Sequence, residues 1–381
     1  MAQQQDELLR LHEQHTGVLR IAGELPVTNR EQLGQAYTPG VAKLAKLIEQ
    51  DPATKAKYTI SGKLVAVITD GTAILGLGNV GPAAGLPIVE GKALLYKQLA
   101  GVDAIPLTLQ QVKTDELVQT IVNFADSFAG IHLEDIKAPR VFEVEDQLKQ
   151  KLNIPVYNDD QTGTAIVVLA GLINAAKVVH KNLVDLKIVI NGVGAAGVAT
   201  AKLLLAAGIK NITLVDIHGV IQSSDERYNH YQRDLAAQVS PATGTTLDEV
   251  ITGQDVFIGL SVADVLNAQQ VHKMSTDPII FALANPVPEI NPEQALQAGA
   301  KIVATGSSQW ANQVNNILVF PGLFQGLLRY DVKQVDLKLQ QSVAVKLAAL
   351  IKEPSAQEIV PGVFSSGVVA AVSSAVEEYQ K

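Results

Sequence analysis

Two acid pairs follow short apolar runs: Glu134-Asp135 in GIHLEDIKAP and Asp159-Asp160 in PVYNDDQTGTA. Parallel strands of an α/β fold end on one face, so both pairs can meet in one crevice. Four carboxylates held close together need a cation or a proton to offset their charge. Mg²⁺ and Mn²⁺ take oxygen ligands in octahedral geometry, which two or three carboxylates, substrate oxygens and a water would satisfy. Successive strand side chains point to opposite faces. Glu134 and Asp135 can therefore share an ion only where the strand gives way to loop, and Pro139 downstream fits that. A second reading stays open, in which these are turn or capping acids and Asp160 caps the helix that follows.

Gly192-Val193-Gly194-Ala195-Ala196-Gly197 forms G-x-G-x-x-G between an apolar run and an alanine-rich helical stretch. Gly192 suits the tight turn, Gly194 lets the backbone approach a pyrophosphate, and Gly197 lets helix and strand pack closely. Ala195 and Ala196 open the helix whose N-terminus would face the phosphates. Asp216 ends the next apolar run, where an acid accepts hydrogen bonds from ribose hydroxyls and repels a 2′-phosphate. That favours NAD over NADP, although Ser223, Ser224 and Arg227 lie downstream and could hold a phosphate. A hard cation beside a nicotinamide suits oxidation of a hydroxy acid.

Lys92 lies in the otherwise apolar segment PIVEGKALLYKQLAG. Desolvation there would lower its pKa and fit it for base catalysis; a snorkelling or salt-bridged lysine is the plainer alternative. Tyr37 precedes a Thr-Pro-Gly turn and reads equally as a surface tyrosine. Asn285 in ALANPVPE and the Asn315-Asn316 pair adjoin sheet segments, where they could bind nicotinamide, ribose or substrate, or simply build turns. The seven histidines show no metal-ligand spacing and read as structural or surface residues.

The elements that must position these groups alternate. Strands are expected over 64–70, 103–109, 130–135 and 154–159, with helices over 113–128 and 142–152 and a Gly/Pro-rich loop over 75–87. A second series begins at LKIVINGVGAAG (186–197) and continues with strands over 211–216, 255–262, 279–286 and 301–306. Further helices are expected over 6–16, 41–50, 342–352 and 365–381. Such alternation implies βαβ units and parallel sheets. The fold class is α/β: a first α/β domain over 1–160 and a doubly wound, Rossmann-type domain over 161–381, whose last helix can pack back on the first.

The 381 residues suit two domains, and 47% apolar content is ample for their cores. A net charge of −8 argues against nucleic acid and anionic membrane. The absence of cysteine removes disulfides, thiolate metal sites and a cysteine nucleophile. The N-terminus has no apolar signal core. The longest apolar stretch, 164–179, contains Asn174 and Lys177 and reads as a buried helix too short to span a bilayer. A cytoplasmic protein is expected.

Together the segments AYTPGVA, VITDGTAILGLGNVGPAAGLPIVEGKALLYK, IHLEDI, VYNDDQTGTA, GVGAAG, ALANPVPE and QVNNILVFPG resemble the malic enzyme family in its short bacterial form. The resemblance implies oxidative decarboxylation of (S)-malate with NAD and Mg²⁺ or Mn²⁺. It implies Tyr37 as general acid, Lys92 as general base with Asp159 supporting it, and Glu134, Asp135 and Asp160 as metal ligands. It also implies Thr164, Asn285, Asn315 and Asn316 as nucleotide or substrate contacts, in a homodimer where Tyr37 can act in trans. A redox-neutral malolactic enzyme and a non-catalytic NAD sensor are the rival readings. Larger relatives carry arginine where this chain has Ala73, which leaves Asn285, Asn315 and the metal as candidates to hold the malate carboxylate.

Overall fold

The computed structural model describes residues 2–74 and 76–381; Leu75, within the GTAILGLG stretch, lies outside the described residues. Two sheets organise the chain. The first has β1 (Leu64–Thr69), β2 (Asp103–Thr108), β3 (Gly130–Leu133) and β4 (Val156–Asn158), all parallel in the order β2-β1-β3-β4. The second has β5 (Ile188–Asn191), β6 (Ile212–Asp216), β7 (Gly219–Val220), β8 (Val256–Gly259), β9 (Ile279–Ala282) and β10 (Ile302–Thr305). Its order is β10-β9-β8-β5-β6-β7, parallel except for the two-residue β7. This is the doubly wound pattern with a short antiparallel edge in the third position. The central strands are continuous Val, Ile, Leu and Ala runs because helices cover both of their faces.

The stretch expected to be a loop over 75–87 is helical from Gly81, and one helix runs Gly81–Ala100 with Pro87 inside it. Proline and glycine lower intrinsic helix propensity. Packing overrides them here, since a Cβ on Gly85 would lie 2.9 Å from Thr69 Cγ2 and Val89 is fully buried. Lys92 is thus mid-helix, and Tyr96 stands one turn further along the same face.

The buried helix expected over 164–179 begins earlier, as a π-helical turn over Asp159–Gly163 continuing into Thr164–Val178. The whole run is 20 residues, apolar enough to cross a bilayer by length and composition, yet 78% of its most apolar 18-residue window is buried inside the protein. It is a core helix, packed against Ala195–Ala206 and Leu337–Ala348. The last helix, Val368–Gln380, packs on Phe320–Arg329, which lies against the Lys92 helix. Gly322 and Gly326 permit that approach, because added Cβ atoms would lie 2.8 Å from Val369 O and 2.7 Å from Val376 Cβ.

The fingerprint glycines divide by what surrounds them. Gly192 has φ +99° and a Cβ there would lie 2.5 Å from Leu260 O, while a Cβ on Gly197 would lie 2.0 Å from Gly192 O. At Gly194 an added Cβ meets nothing within 4 Å. Gly192 and Gly197 are demanded by the fold, and Gly194 leaves open space above the helix N-terminus. Gly192→Ala should therefore destabilise the protein by about 1–3 kcal/mol. Gly194→Val should leave the melting temperature nearly unchanged but weaken dinucleotide binding at least about tenfold; thermal melts and NADH fluorescence titration check both.

Candidate active site

Strand register builds the site. Leu133 at the end of β3 pairs with Asn158 at the end of β4, so the residues that follow, 134–135 and 159–160, emerge side by side. β3 stops at Leu133, and Asp135 takes a left-handed backbone, φ +53°. That reversal lets Asp135 join Glu134 on one side, which a continuing strand would forbid. Asp135 N–H donates to Asp160 Oδ2 at 2.8 Å, and Asn158, not Asp160, caps the following helix through Gln161 N–H. Glu134, Asp135 and Asp160 each offer an oxygen, and the three oxygens lie within 4.8 Å of one another. Glu134 and Asp135 are buried and Asp160 is half-buried.

The Lys92 ammonium enters this cluster from the Gly81–Ala100 helix. It is hydrogen-bonded to Asp159 Oδ2, lies 3.0 Å from Glu134 Oε1 and 3.4 Å from Asn316 Oδ1, and stands 4.8 Å from the centre of the Phe320 ring. Burial by itself would lower its pKa, but Asp159, Glu134 and Asp160 outweigh burial and raise it well above the lysine range. Burial likewise pushes Glu134 up, yet Lys92 and the His132 hydrogen bond bring it down to about 2. Asp160 is raised well above the usual carboxylate range, by burial first and then by Glu134 and Asp135. Four carboxylates against one ammonium leave an excess of negative charge. An all-oxygen donor set of this kind fits a hard divalent cation.

Behind the acids lies a layer that the sequence reading did not single out. His132 Nε2 contacts Glu134 Oε2 at 2.8 Å, and His132 Nδ1 contacts the Tyr96 hydroxyl at 2.8 Å. Tyr157 donates its hydroxyl to Asp159 Oδ1 at 2.6 Å. His132, Tyr96 and Tyr157 are fully or almost fully buried; Phe320 packs edge-on to Tyr96 and His132, while Phe324 packs edge-on to both tyrosines and stacks on His132. Burial, then Asp159 and Glu134, push both tyrosine hydroxyls up, so they act as donors. Strand alternation held the signal, because 132 and 134 share a face two residues apart. A Cβ on Gly163 would lie 2.3 Å from Asp159 Oδ1 and 2.5 Å from the Tyr157 hydroxyl.

The other expected residues divide. Asn316 joins the lysine, whereas the Asn315 side chain accepts from Ile317 N–H and caps a short turn. Asn285 donates to Leu283 O, beside Gly306. A Cβ on Gly76 would lie 3.1 Å from Pro286 Cδ, so the Gly-rich loop of the first sheet meets the ANPVPE loop of the second. Ala73 donates its N–H to Asp135 O and so sits at the acid cluster. Thr164 opens the core helix beside it. Buried Glu289 accepts from Ser261 N–H and Ala284 N–H and braces the loops at the ends of β8 and β9. Among the described residues no hydrogen bond joins Tyr37 to the cluster, and Tyr37 is 66% exposed.

Two family models match the chain: "Malic enzyme, N-terminal domain" over residues 20–114 and "Malic enzyme, NAD binding domain" over residues 161–379. The chain belongs to the malic enzyme family. Its similarity to an NAD-dependent malic enzyme from Geobacillus stearothermophilus is 46% identity over 95% of the chain and 76% of that protein. A bifunctional malic/malolactic enzyme of Bacillus subtilis is 44% identical over 97% of the chain and 92% of that protein. The crystal structure of an NAD-dependent malic enzyme from Thermotoga maritima superposes with a TM-score of 0.94 at 41% identity, over 97% of this chain and 98% of that one.

In this malic enzyme the raised pKa of Asp160 has a consequence for stability. The folded, cation-free protein holds that proton more tightly than the unfolded chain does. The contribution favours folding at low pH and is lost as pH rises through the raised value. A divalent cation held by Glu134, Asp135 and Asp160 would compete with the same proton. Mn²⁺ should therefore raise the melting temperature more at mildly alkaline than at mildly acidic pH, and Asp160→Asn should remove most of that difference. Equal increments across pH would refute this account of the cluster.

Proposed function

We propose that this malic enzyme oxidatively decarboxylates (S)-malate to pyruvate and CO₂ with NAD, using Mg²⁺ or Mn²⁺ on Glu134, Asp135 and Asp160. Residues 1–160 would form the substrate and metal domain and 161–381 the nucleotide domain, in a cytoplasmic homodimer. The observation that carries the reading is the Lys92 ammonium held between Asp159 and Glu134 at the edge of the three-carboxylate cluster. Asp216 at the end of β6 supports NAD over NADP.

When bound, NAD supplies the hydride acceptor, and the cation supplies Lewis acidity toward the substrate oxygens together with charge that offsets the acids around Lys92. Lys92 then takes the C2 hydroxyl proton, with Asp159 and Asn316 fixing where its nitrogen points. The fully buried Asp159 is oriented by the Tyr157 hydroxyl, and Glu134 by His132. Phe320 and Phe324 close the back of the site to water. Tyr37 gives its proton to C3 of the enolpyruvate left after CO₂ departs. Asn285 and Asn315 are the proposed contacts to the carboxylate and the nicotinamide ribose, and Thr164 to the nucleotide.

Tyr37 would reach the site from the partner subunit. Residues 6–60 contain no buried side chain, although Leu8, Leu9, Ile21, Leu25 and Leu33 lie among them. An exposed apolar surface of that extent is suited to a second copy. The bifunctional Bacillus subtilis relative gives weight to a second reading, in which malate goes to lactate with NADH retained.

Turnover of (S)-malate with Mn²⁺ should generate reduced nicotinamide in step with pyruvate; lactate without net reduction would favour the second reading. Lys92→Ala and Tyr37→Phe should each lower kcat by about 10²-fold or more while NAD still binds. Mixing the two inactive variants should restore about a quarter of wild-type activity after random subunit exchange. No rescue after verified exchange would place Tyr37 in its own subunit's site.

A further inference from the structure

A crevice of about 370 Å³ opens beside the fingerprint, lined by Val193, Gly194, Asp216, Arg227 and Tyr228, with Pro139 opposite. Its position, between the helix N-terminus and the acid ending β6, is where the adenosine ribose of a dinucleotide lies in this fold. Asp216 Oδ1 accepts from the Tyr228 hydroxyl and from His218 N–H, both at 2.8 Å, so Tyr228 is pinned to the acid. Arg227, the one guanidinium in the lining, is the natural ligand for a ribose 2′-phosphate. It is engaged elsewhere. Its Nε donates to both oxygens of Asp225 at 3.0 Å, and Nη2 donates to Asp225 Oδ2 at 2.6 Å. Asp225 also accepts the Arg227 backbone N–H at 3.0 Å, so the acid is fixed by the turn and not merely attracted to the cation. The guanidinium lies 5.9 Å from the centre of the Tyr228 ring.

We propose that Asp225 is a specificity-determining residue, which excludes a 2′-phosphorylated dinucleotide by locking Arg227 in a forked ion pair at the mouth of the adenosine crevice. An incoming 2′-phosphate meets Asp216 in the lining and a guanidinium whose Nε–Nη2 edge is already filled by Asp225. An unphosphorylated ribose needs no cation and meets only Asp216. Hydrogen bonding to Arg227 brings the Asp225 pKa down to about 2, so the pair is ionised at every working pH. The inference rests on the NAD preference proposed above and names the residue that enforces it.

Asp225→Ser removes the charge and keeps an oxygen for the turn N–H. It is compared with wild type, Arg227→Ala and Asp225→Ser/Arg227→Ala by kcat/KM for NAD and NADP, and by NADPH fluorescence titration without malate or metal. Asp225→Ser should shift the NADP-to-NAD ratio about tenfold toward NADP, through tighter NADPH binding. The double variant should lose that shift, and Arg227→Ala alone should leave the ratio near wild type, because the arginine is already occupied. If wild type prefers NAD and Asp225→Ser stays within threefold of its ratio, the lock is overturned and the cofactor reading stands. If wild type prefers NADP, the cofactor reading itself falls and takes the lock with it.

Discussion

A lysine and four carboxylates share the buried end of one parallel sheet, and the rest of the active site follows from balancing their charge. Taking an ion out of water is expensive unless partners replace the hydration. Lys92 is partnered by Asp159 and Glu134, which in turn are tied to Tyr157 and His132. Burial first, then Glu134 and Asp135, push the Asp160 pKa up, a cost that a divalent cation would relieve.

That balance depends on backbone as much as on side chains. Parallel pairing of β3 with β4 brings the acids together, and the left-handed Asp135 turns two consecutive carboxylates to one side. Gly163 leaves room for Asp159 beside Tyr157. Helix Phe320–Arg329 seats two aromatic rings against the polar layer, and the last helix of the chain clamps it there. The second sheet contributes a crevice at its own C-terminal edge, the proposed nucleotide site, and its loops join the first where the Gly76 loop meets Pro286.

Much of this is legible in the sequence. Strands show as apolar runs because helices bury both of their faces. The fingerprint shows because Gly192 and Gly197 answer steric demands that no other residue meets. The acid pairs show because charge rarely follows an apolar strand without a reason. What stays hidden depends on packing between distant segments. The Gly/Pro content of 81–87 argues for loop, and only burial of Gly85 and Val89 makes it helix. Adjacent Asn315 and Asn316 look alike in the chain, yet one caps a turn and the other faces Lys92. His132 reads as one more structural histidine until alternation places it behind Glu134. Arg227 shows in the sequence as a candidate phosphate ligand, whereas only the fold shows that Asp225 already occupies it.

The central claim is that Asp159 holds Lys92 in its working position. The most direct measurement is the steady-state rate of Asp159→Asn with (S)-malate, NAD and saturating Mn²⁺, together with its NADH affinity. The asparagine keeps the shape and the Tyr157 contact but gives up the charge that holds the ammonium. The account predicts a kcat lower by about 10²-fold or more with NADH affinity unchanged. A kcat within threefold of wild type would contradict it.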